Sequence, residues 1–403
     1  MNCFQAYSLT IVLLAVCCAS SAQQTVADSA HTKNVPVIEL QGNGYQRGVQ
    51  HGKILKAEIA DLYKKWKTDI QASTKQNADT VIDHFYRATN FKPAIKKWTP
   101  EIYEEIRGIA ESSGQTFKDV FCFQMADEFW VYLDKVKNAE VNHCSGIGVA
   151  ATGSKPTYIA QNLDGPSFMN GSQVLLHIKA YKNEPEQYVL SSAGLVAMNG
   201  INASGIGVTV NTLMQLNASP EGLPVACVVR GVLVRTDRKS ALDFLQAVKH
   251  ASGQNYIIGS ADSVYDFEAS ANKVVRFLPV ATNPSLVYHT NHPVINDDIK
   301  PWHKENVQKL LAGETASSTF TRFMTLKNRL DITDQNFSDA TIKETLRSKD
   351  NEKFPVCIAY QSGKGGFTFS SVIYTLGRNP TVQITNGSPD QAEYVLHQFT
   401  SRK

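Results

Sequence analysis

The segment His143-Cys-Ser-Gly-Ile-Gly-Val149, which is followed by Gln161-Asn-Leu-Asp164, separates two parts of the chain with different sequence patterns. Before it, roughly residues 50 to 140 carry apolar side chains at helical spacing. After it come short β-rich runs punctuated by turn residues. Cys144 itself stands between a polar histidine and the small, turn-prone Ser145-Gly146. The sequence therefore predicts that Cys144 marks the boundary between a helical segment and a β-rich one.

Three helices are predicted upstream of this boundary. The first carries apolar residues at i, i+4, i+7, i+8 and i+11, on one face: Leu55, Ile59, Leu62, Tyr63 and Trp66. The second begins with Thr99 as N-cap and Pro100 in its first turn, and it stops near Gly114. The third starts at Thr116, with Asp119 three residues later as in a capping box.

Downstream of Cys144, runs of strands surround pairs of helices. Two helical patterns lie around Val225 to Val234 and Ser240 to His250, and two more lie near Phe320 to Leu330 and Asp339 to Arg347. Strict βαβ alternation, which is typical of a parallel doubly wound sheet, is absent from the pattern. The sequence thus indicates an α+β protein with two packed sheets and helical layers outside them.

Composition narrows the class of protein. The 403 residues are 42% hydrophobic and 19% charged, which is typical of a globular chain. With 40 basic and 37 acidic residues, the net charge of +3 is too even for a dedicated nucleic-acid binder. No apolar run after the N-terminus is long enough to span a bilayer, so no membrane span is expected.

The first 22 residues predict a secretory signal peptide. They carry no charged side chain, and an apolar run from Leu9 to Cys18 is followed by small residues ending at Ala22. A buried N-terminal helix is the alternative. We therefore expect a secreted or otherwise extracytoplasmic protein, lysosomal or periplasmic according to the host. A glycosylating host would modify the sequons at Asn170, Asn202, Asn217 and Asn336.

Removal of the signal peptide leaves four of the seven cysteines. Cys122, Cys227 and Cys357 lie in apolar runs and are predicted to be buried small hydrophobes. Cys144, with its polar and turn-prone neighbours, is the candidate for chemistry. One disulfide bridge among the four stays open as an alternative, although four cysteines do not make a disulfide scaffold.

Two further motifs in the sequence have simple structural explanations. Gly42-Asn-Gly-Tyr-Gln-Arg-Gly48 follows a predicted strand, Val35 to Leu40, but its third glycine falls one place too late for a dinucleotide-binding loop, so a tight turn is preferred. His289 and His292 have an H-x-x-H spacing, but a strand places them on opposite faces and no nearby Cys or Glu completes a zinc site. Neither motif therefore predicts a metal or organic cofactor.

Five polar residues taken together resemble a known pattern, although each of them alone would be interpreted as having a structural role. They are Cys144 in HCSGIGV, Asp164 in QNLD, Asn211 in VTVNTL, Asn291 in HTNHP and Arg322 in TRF. The chain resembles the N-terminal-nucleophile (Ntn) amidohydrolases, and most of all the acyl-coenzyme A:6-aminopenicillanic acid (isopenicillin N) acyltransferase family. GYQRGVQHG, NASGIGVTVN and TFSSVIYTL extend this resemblance over nearly the whole mature chain.

The resemblance implies a role for each of these residues. Cys144 matches the nucleophile, whose own α-amino group, freed by cleavage of the His143–Cys144 bond, would act as base; such a group titrates near about 8. Asp164 matches the aspartate that holds this ammonium. Asn291 and Asn211 match groups near the oxyanion hole. Arg322 matches the arginine that pairs with the carboxylate and tunes the thiol.

The family's fold is a four-layer αββα sandwich, which the resemblance implies here as well. Residues 23–143 would form a helical pro-segment that stays associated as the small chain, and residues 144–403 the catalytic large chain. The implied reaction is hydrolysis of a linear N-acyl amide through a Cys144 thioester, with acyl transfer if an amine replaces water. Two alternatives stay open: a non-enzymatic binding protein, and a hydrolase whose internal Cys144 uses His143 or His292 as base.

Overall fold

The computed structural model describes residues 34–133, 144–278, 285–313, 317–332, 337–362 and 365–399. The signal peptide predicted over residues 1–22, His143 at the predicted cleavage bond and the sequon at Asn336 lie outside the described residues. Within the described ranges, no helix combines the length and the apolar character needed to cross a membrane.

The chain upstream of Cys144 is mostly helical, as predicted. It begins with strand β1 (Val37–Leu40) and continues through α1 (Gly44–Ile54), α2 (Lys56–Thr74), α3 (Ala78–Ala88), α4 (Lys92–Trp98), α5 (Pro100–Ser113), α6 (Phe117–Phe123) and α7 (Ala126–Leu133). The apolar face predicted for α2 is buried. Thr116 caps α6 by accepting a hydrogen bond from the Asp119 N–H, as expected. Thr99 is the N-cap residue of α5, as predicted, but its hydroxyl donates back to the Ile95 carbonyl and makes no cap hydrogen bond.

The glycine-rich segment before Cys144 forms more than the predicted tight turn. Gly42 has a φ of 89° and makes the turn, and Asn43 then caps α1 in a capping box with Gln46. Three glycines at spacing four follow on the face of α1 that meets α5: Gly44, Gly48 and Gly52. A Cβ at any of them would overlap the main chain or a side chain of α5. The segment therefore serves close helix packing.

Two sheets form the centre of the molecule. The strands after Cys144 are β2 (Ser145–Val149), β3 (Thr157–Pro166), β4 (Gln173–Ile178), β5 (Gln187–Ser192), β6 (Asn199–Asn202), β7 (Gly207–Thr212), β8 (Gln254–Gly259), β9 (Val264–Ala269), β10 (Val274–Phe277), β11 (Leu286–His289), β12 (Gly366–Leu376), β13 (Thr381–Ile384) and β14 (Val395–Gln398). One sheet has the order β1-β4-β5-β6-β7-β8-β9-β10, and the other has the order β11-β2-β3-β12-β13-β14. Among these strands, β1 and β4 pair in parallel and the remaining neighbours are antiparallel.

The two sheets stack face to face, and the period-2 alternation of β3 shows how. Ile159 points into the space between the sheets, where a Cβ on Gly207 or Gly259 would collide with it. Its neighbours Tyr158 and Ala160 point the other way, into a separate apolar cluster with the outer helices. Successive side chains of a strand alternate between faces, so β3 contributes to two apolar layers at once.

Helices cover both outer faces. They are α8 (Val225–Leu233), α9 (Arg238–Ala247), α10 (Pro301–Leu311), α11 (Ser318–Leu330) and α12 (Asp339–Leu346). Helix α8 contacts β6 and β7 of the larger sheet, whereas α11 contacts β11 and α12 contacts β3 and β12 of the smaller one. The layers therefore run helix, sheet, sheet, helix. This arrangement confirms the predicted α+β class and αββα sandwich.

The segments on either side of Cys144 share one core. Glu105 of α5 forms buried ion pairs with Arg47 of α1 and with Arg230 of α8. The Gly194 N–H donates to the His51 ring at 2.8 Å, and β1 is an edge strand of the larger sheet. The division into small and large chains stays a prediction, but its two halves already contact each other through buried charges.

One predicted glycosylation site conflicts with the fold. Asn202 is fully buried, and its amide nitrogen donates to the carbonyls of Leu233 and Arg235. A glycan on that nitrogen would break both hydrogen bonds and would have no room, so the prediction is wrong at Asn202. Asn170 and Asn217 are partly exposed, and the amide of Asn217 donates to Asp298 at 2.7 Å.

Candidate active site

Cys144 lies directly before β2, at the edge of the inter-sheet space. Strand β2 pairs with β3, so Ser145 stands opposite Asn162, and the alternation directs Gly146 and Gly148 inward against Ile257. Side chains there would hold the sheets apart, which explains the two glycines after the cysteine. The Cys144 side chain is buried, and its thiol donates to the main-chain carbonyl of Asp164 with an Sγ–O distance of 3.9 Å.

Asp164, at the C-terminal end of β3, carries an unusual buried carboxylate. Neither of its side-chain oxygens makes a geometrically complete hydrogen bond among the described residues, although the Thr368 side chain lies near enough to favour the ionised form. Burial raises its pKa to about 7, against the opposing effects of the neighbouring Thr368 and of the Arg322 charge. A buried carboxylate without partners is costly. The site therefore favours a proton or a cation beside Asp164.

Arg322 joins the elements of the site from α11, and its side chain is fully buried. Its Nη1 donates to the Cys144 carbonyl at 2.6 Å and to the Ser145 hydroxyl at 2.9 Å. Its Nη2 donates to Asn291 Oδ1 at 3.1 Å. The planar guanidinium thus fixes the backbone at Cys144 and the turn after β11 at the same time.

Asn291 lies in that turn and is held on three sides. Its main-chain N–H donates to the Thr319 hydroxyl at 2.7 Å, and its side-chain amide donates to the Thr212 carbonyl at 3.1 Å. The carboxamide oxygen accepts from Arg322. Direct hydrogen bonds therefore link Asn291, Arg322 and Cys144, with Asp164 contacting the thiol.

Asn211 belongs to a buried polar chain between the sheets. Its amide donates to Asn255 Oδ1 at 2.8 Å, its oxygen accepts from Gln161 at 3.1 Å, and Asn255 in turn donates to Asp266. The Asn211 side chain lies against Gly146, two residues after the cysteine. These contacts place Asn211 behind the Cys144 site. Its role near an oxyanion hole stays a prediction.

The Cys144 thiol is protonated in this uncut chain. Burial raises its pKa to about 12, and the negative charge of Asp164 acts in the same direction. The hydrogen bond to the Asp164 carbonyl and the positive charge of Arg322 oppose the rise without overcoming it. The thiol therefore needs a base before it can attack a carbonyl.

A cavity of about 120 Å³ opens beside the thiol. Its lining is mainly apolar and aromatic, with side chains from both halves of the chain: Trp66, Phe123, Trp130, Phe168, Met169 and Met198. The polar lining residues are Cys144, Asp164, Gln124, Asp127 and Thr212. Asp127 accepts hydrogen bonds from Thr212 at 2.7 Å and from Gln254 at 2.8 Å. The cavity suits an apolar group close to the Cys144 thiol.

Sequence reasoning missed Asp127 and Gln124. Both precede Cys144, in the helical segment that was assigned to the pro-segment and given no role in the site. An acidic pair, Asp127-Glu128, inside the apolar run from Phe121 to Leu133 was the available signal. Such a pair in a buried helix face requires polar partners.

The two histidines of the H-x-x-H spacing have other partners. His289 contacts Glu268 and the Thr290 carbonyl, and His292 contacts the hydroxyls of Thr290 and Thr319. Burial and the neighbouring His289 lower the pKa of His292 to about 3. Across the described ranges, no group of three His, Cys, Asp or Glu side chains is placed to hold a metal ion.

Fold and site together define a class: an αββα sandwich with a buried cysteine at the head of a central strand, beside an aspartate and an arginine. The family model described as acyl-coenzyme A:6-aminopenicillanic acid acyl-transferase matches residues 151–391. The chain belongs to this family, as the sequence resemblance predicted. The matched range contains Asp164, Asn211, Asn291 and Arg322 but begins after Cys144.

The chain is also similar to individual proteins. The acyl-coenzyme A:6-aminopenicillanic-acid-acyltransferase 40 kDa form of Emericella nidulans is 24% identical over 359 residues, which cover 88% of this chain and 94% of that protein. Among solved structures, the Caenorhabditis elegans N-acylethanolamine-hydrolyzing acid amidase ortholog is 16% identical and covers 58% of this chain and 92% of its own, with a TM-score of 0.40. A variant of conjugated bile acid hydrolase from Clostridium perfringens is 13% identical and covers 64% of this chain and 97% of its own, with a TM-score of 0.40.

Proposed function

We propose that this protein is an N-terminal-nucleophile cysteine hydrolase that cleaves a linear N-acyl amide bond. The observation that carries the proposal is the pair of unpartnered, buried carboxylate oxygens of Asp164 next to Cys144. If the bond before Cys144 is cut, the new α-ammonium is a cation at this place. In this ammonium form it would supply the missing partner of Asp164, and as the neutral amine it would be the base for the thiol.

The reaction follows from this arrangement. The thiol adds to the amide carbonyl carbon, and its proton passes to the Cys144 α-amino group. The tetrahedral intermediate collapses to a thioester and expels the amine, which takes up that proton. Water then attacks the thioester, releases the carboxylic acid and restores the thiol. An amine in place of water gives acyl transfer, with the same balance of atoms.

The cavity indicates which part of the substrate lies nearest the cysteine. Because its walls are mainly apolar and aromatic, the acyl group would bury apolar surface there, at about 25 cal/mol per Å² removed from water. A small-molecule N-acyl amide with an apolar acyl group is the substrate class we propose.

Maturation completes the proposal. The precursor would lose its signal peptide, enter an extracytoplasmic compartment and cut itself between His143 and Cys144. The Cys144 thiol attacks the His143 carbonyl carbon, so that this acyl group moves from nitrogen to sulfur. Water then hydrolyses the resulting thioester. The products are a small chain that ends at His143 and a large chain that begins at Cys144, and both stay associated through buried contacts such as Glu105–Arg230.

The test compares wild-type protein with Cys144→Ala, both purified from a secreting host and measured by intact mass spectrometry. Wild type should give two fragments, the larger beginning Cys-Ser-Gly-Ile-Gly, and should hydrolyse members of an N-acyl amide panel. Cys144→Ala should stay a single inactive chain. Cys357→Ala, at another buried cysteine, is the matched control and should mature normally. Full activity in uncut wild-type protein would refute self-processing.

A further inference from the structure

A buried ion pair lies directly behind the turn that carries Asn291. Glu268, near the end of β9, and His289, the last residue of β11, are both fully buried, and His289 Nε2 lies 2.8 Å from Glu268 Oε1. Neither residue lines the cavity beside Cys144. The mechanism described above gives these two residues no part.

The Glu268 carboxylate has all of its acceptor sites filled. Oε1 accepts from His289 and from the Val294 N–H at 2.6 Å, while Oε2 accepts from the N–H groups of Ile295 at 3.1 Å and Asn296 at 2.7 Å. A carboxylate offers about four such sites. Burial alone would raise its pKa, but His289 and these N–H groups outweigh burial and lower the pKa of Glu268. The group is an anion.

His289 is the matching cation, because the group that it faces, Glu268, is an anion. Its Nδ1 lies 2.8 Å from the Thr290 carbonyl, and its Nε2 faces the Glu268 carboxylate. Both neighbours are pure acceptors, so both ring nitrogens must carry a proton. Burial opposes the charge, but Asp266 and Glu268 outweigh it and raise the pKa of His289 to about 9.

The pair encloses the turn from both ends. His289 stands two residues before Asn291, and the N–H groups bound by Glu268 begin three residues after it. One carboxylate therefore fixes the entry and the exit of the turn. Asn291 in turn receives the Arg322 hydrogen bond, and Arg322 binds the Cys144 carbonyl.

We infer that Glu268 and His289, as an anion and a cation, are positioning residues that hold Asn291 and Arg322 in register with the Cys144 nucleophile. Removing either charge should let the turn shift while the cavity and the thiol stay in place. A displacement on the order of 1 Å can cost about 100-fold in rate. The inference rests on the proposed hydrolysis by Cys144.

The charges around His289 decide what a pH profile will show. Asp266 and Glu268 of β9 and His292 of the turn face His289, and the charge of Arg322 on α11 acts at His292, whereas β2 has no charged side chain and β10 presents Phe277. If activity needs the imidazolium, wild-type kcat should fall as pH rises through about 9. Loss of the Glu268 charge should move this alkaline limb to lower pH.

The experiment uses mature protein with Glu268→Gln and His289→Gln. The matched control is Glu186→Gln, which alters another His–Glu pair, His177–Glu186, away from the cavity. Measured quantities are kcat, KM, their pH profiles, melting temperature and the rate of Cys144 alkylation by iodoacetamide. We expect kcat to fall about 10–100-fold in both site variants, with KM little changed. The control should keep wild-type kcat.

A folded Glu268→Gln with wild-type kcat and an unmoved alkaline limb would overturn the inference. If Glu268→Gln does not fold, His289→Gln is judged by the same two criteria. Wild-type protein that hydrolyses no amide refutes the proposed function; the inference then stands if Glu268→Gln alters Cys144 alkylation and falls if it does not.

Discussion

At the scale of single residues, burial sets the chemistry of Cys144 and Asp164. Burial favours the neutral form of both side chains. It raises the pKa of the thiol to about 12 and that of the carboxyl group to about 7. Such a site is poorly suited to a thiolate while the chain is uncut. A new ammonium beside Asp164 would change both pKa values in the useful direction, because an adjacent cation stabilises both anions.

The first prediction concerns the guanidinium group of Arg322, which donates hydrogen bonds to Cys144, Ser145 and Asn291. Arg322→Lys keeps the charge but cannot donate in both directions, so at least one charge-assisted hydrogen bond of about 1.5–3 kcal/mol is lost. We expect kcat to fall about 10–100-fold with a small change in melting temperature. Arg329→Lys, on the same helix and paired at the surface with Asp350, is the control. Unchanged turnover in Arg322→Lys would remove Arg322 from the site.

The second prediction concerns pH and the carboxyl group of Asp164. Its pKa is raised from 3.8 to about 7 in the uncut folded chain, so the folded state is destabilised once the group ionises. The penalty is absent below the unfolded pKa, grows as pH rises toward 7 and is complete above it. Asp164→Asn in the uncut Cys144→Ala background should therefore raise the unfolding free energy at pH 8 but not at pH 4. Urea unfolding at both pH values measures this, and an equal effect at the two pH values would contradict it.

At the scale of elements, glycines decide how closely helices and strands approach. The stripe Gly44, Gly48 and Gly52 lets α1 lie directly on the backbone of α5, and Gly207 and Gly259 accept Ile159 between the sheets. Arg47, on α1, reaches Glu105 through this close contact. The close packing of α1 on α5 and the buried Arg47–Glu105 ion pair therefore both depend on the glycines of α1, which have no side chains.

The third prediction tests that contact. A Cβ at Gly48 would overlap the Glu105 carbonyl, and backbone cannot move aside as a flexible side chain can. Gly48→Ala should lower the unfolding free energy by about 1–3 kcal/mol, the usual cost of overpacking. Gly365→Ala, where a Cβ meets nothing within 4 Å, is the control and should be near neutral. Urea unfolding of both variants makes the comparison, and equal midpoints would show that α1 and α5 can separate freely.

At the scale of the whole molecule, buried charges tie the two halves of the chain together. Glu105 of the helical segment lies between Arg47 and Arg230, and all three side chains are fully buried. Glu128 accepts from the Val225 N–H at 3.0 Å at the start of α8. Breaking the main chain before Cys144 would leave these contacts intact.

The fourth prediction follows from this trio. Glu105→Gln removes the anion and leaves Arg47 and Arg230 buried with reduced compensation, which should cost about 3–5 kcal/mol of unfolding free energy. Glu104→Gln, at an exposed pair with Arg107, should cost little. Urea unfolding of the mature protein and its elution in size-exclusion chromatography give the two readouts. A Glu105→Gln protein as stable as Glu104→Gln would show that the ion pairs do not hold the halves together.

The boundary at Cys144, the buried face of α2 and the two-sheet class could all be predicted from the sequence, because they depend on local periodicity and turn chemistry. The sequence also singled out Cys144 through its polar and turn-prone neighbours, whereas Asp164, Asn291 and Arg322 were found only through motif resemblance. Its reading of Gly42–Gly48 as a turn was incomplete, since four-residue glycine spacing acquires meaning only when α5 lies against it.

Only the tertiary structure decided which distant groups meet. The alternation of a strand tells which face a side chain takes but not what lies opposite. No local pattern in the sequence therefore showed that Asp127 lines the cavity. None showed that Glu268 contacts His289 and the turn after it. Likewise, Asn202 fits a sequon, yet the packing of α8 on β6 and β7 buries it. The raised pKa values of Cys144 and Asp164 also depend on the tertiary structure, because every layer that covers these side chains contributes to their burial.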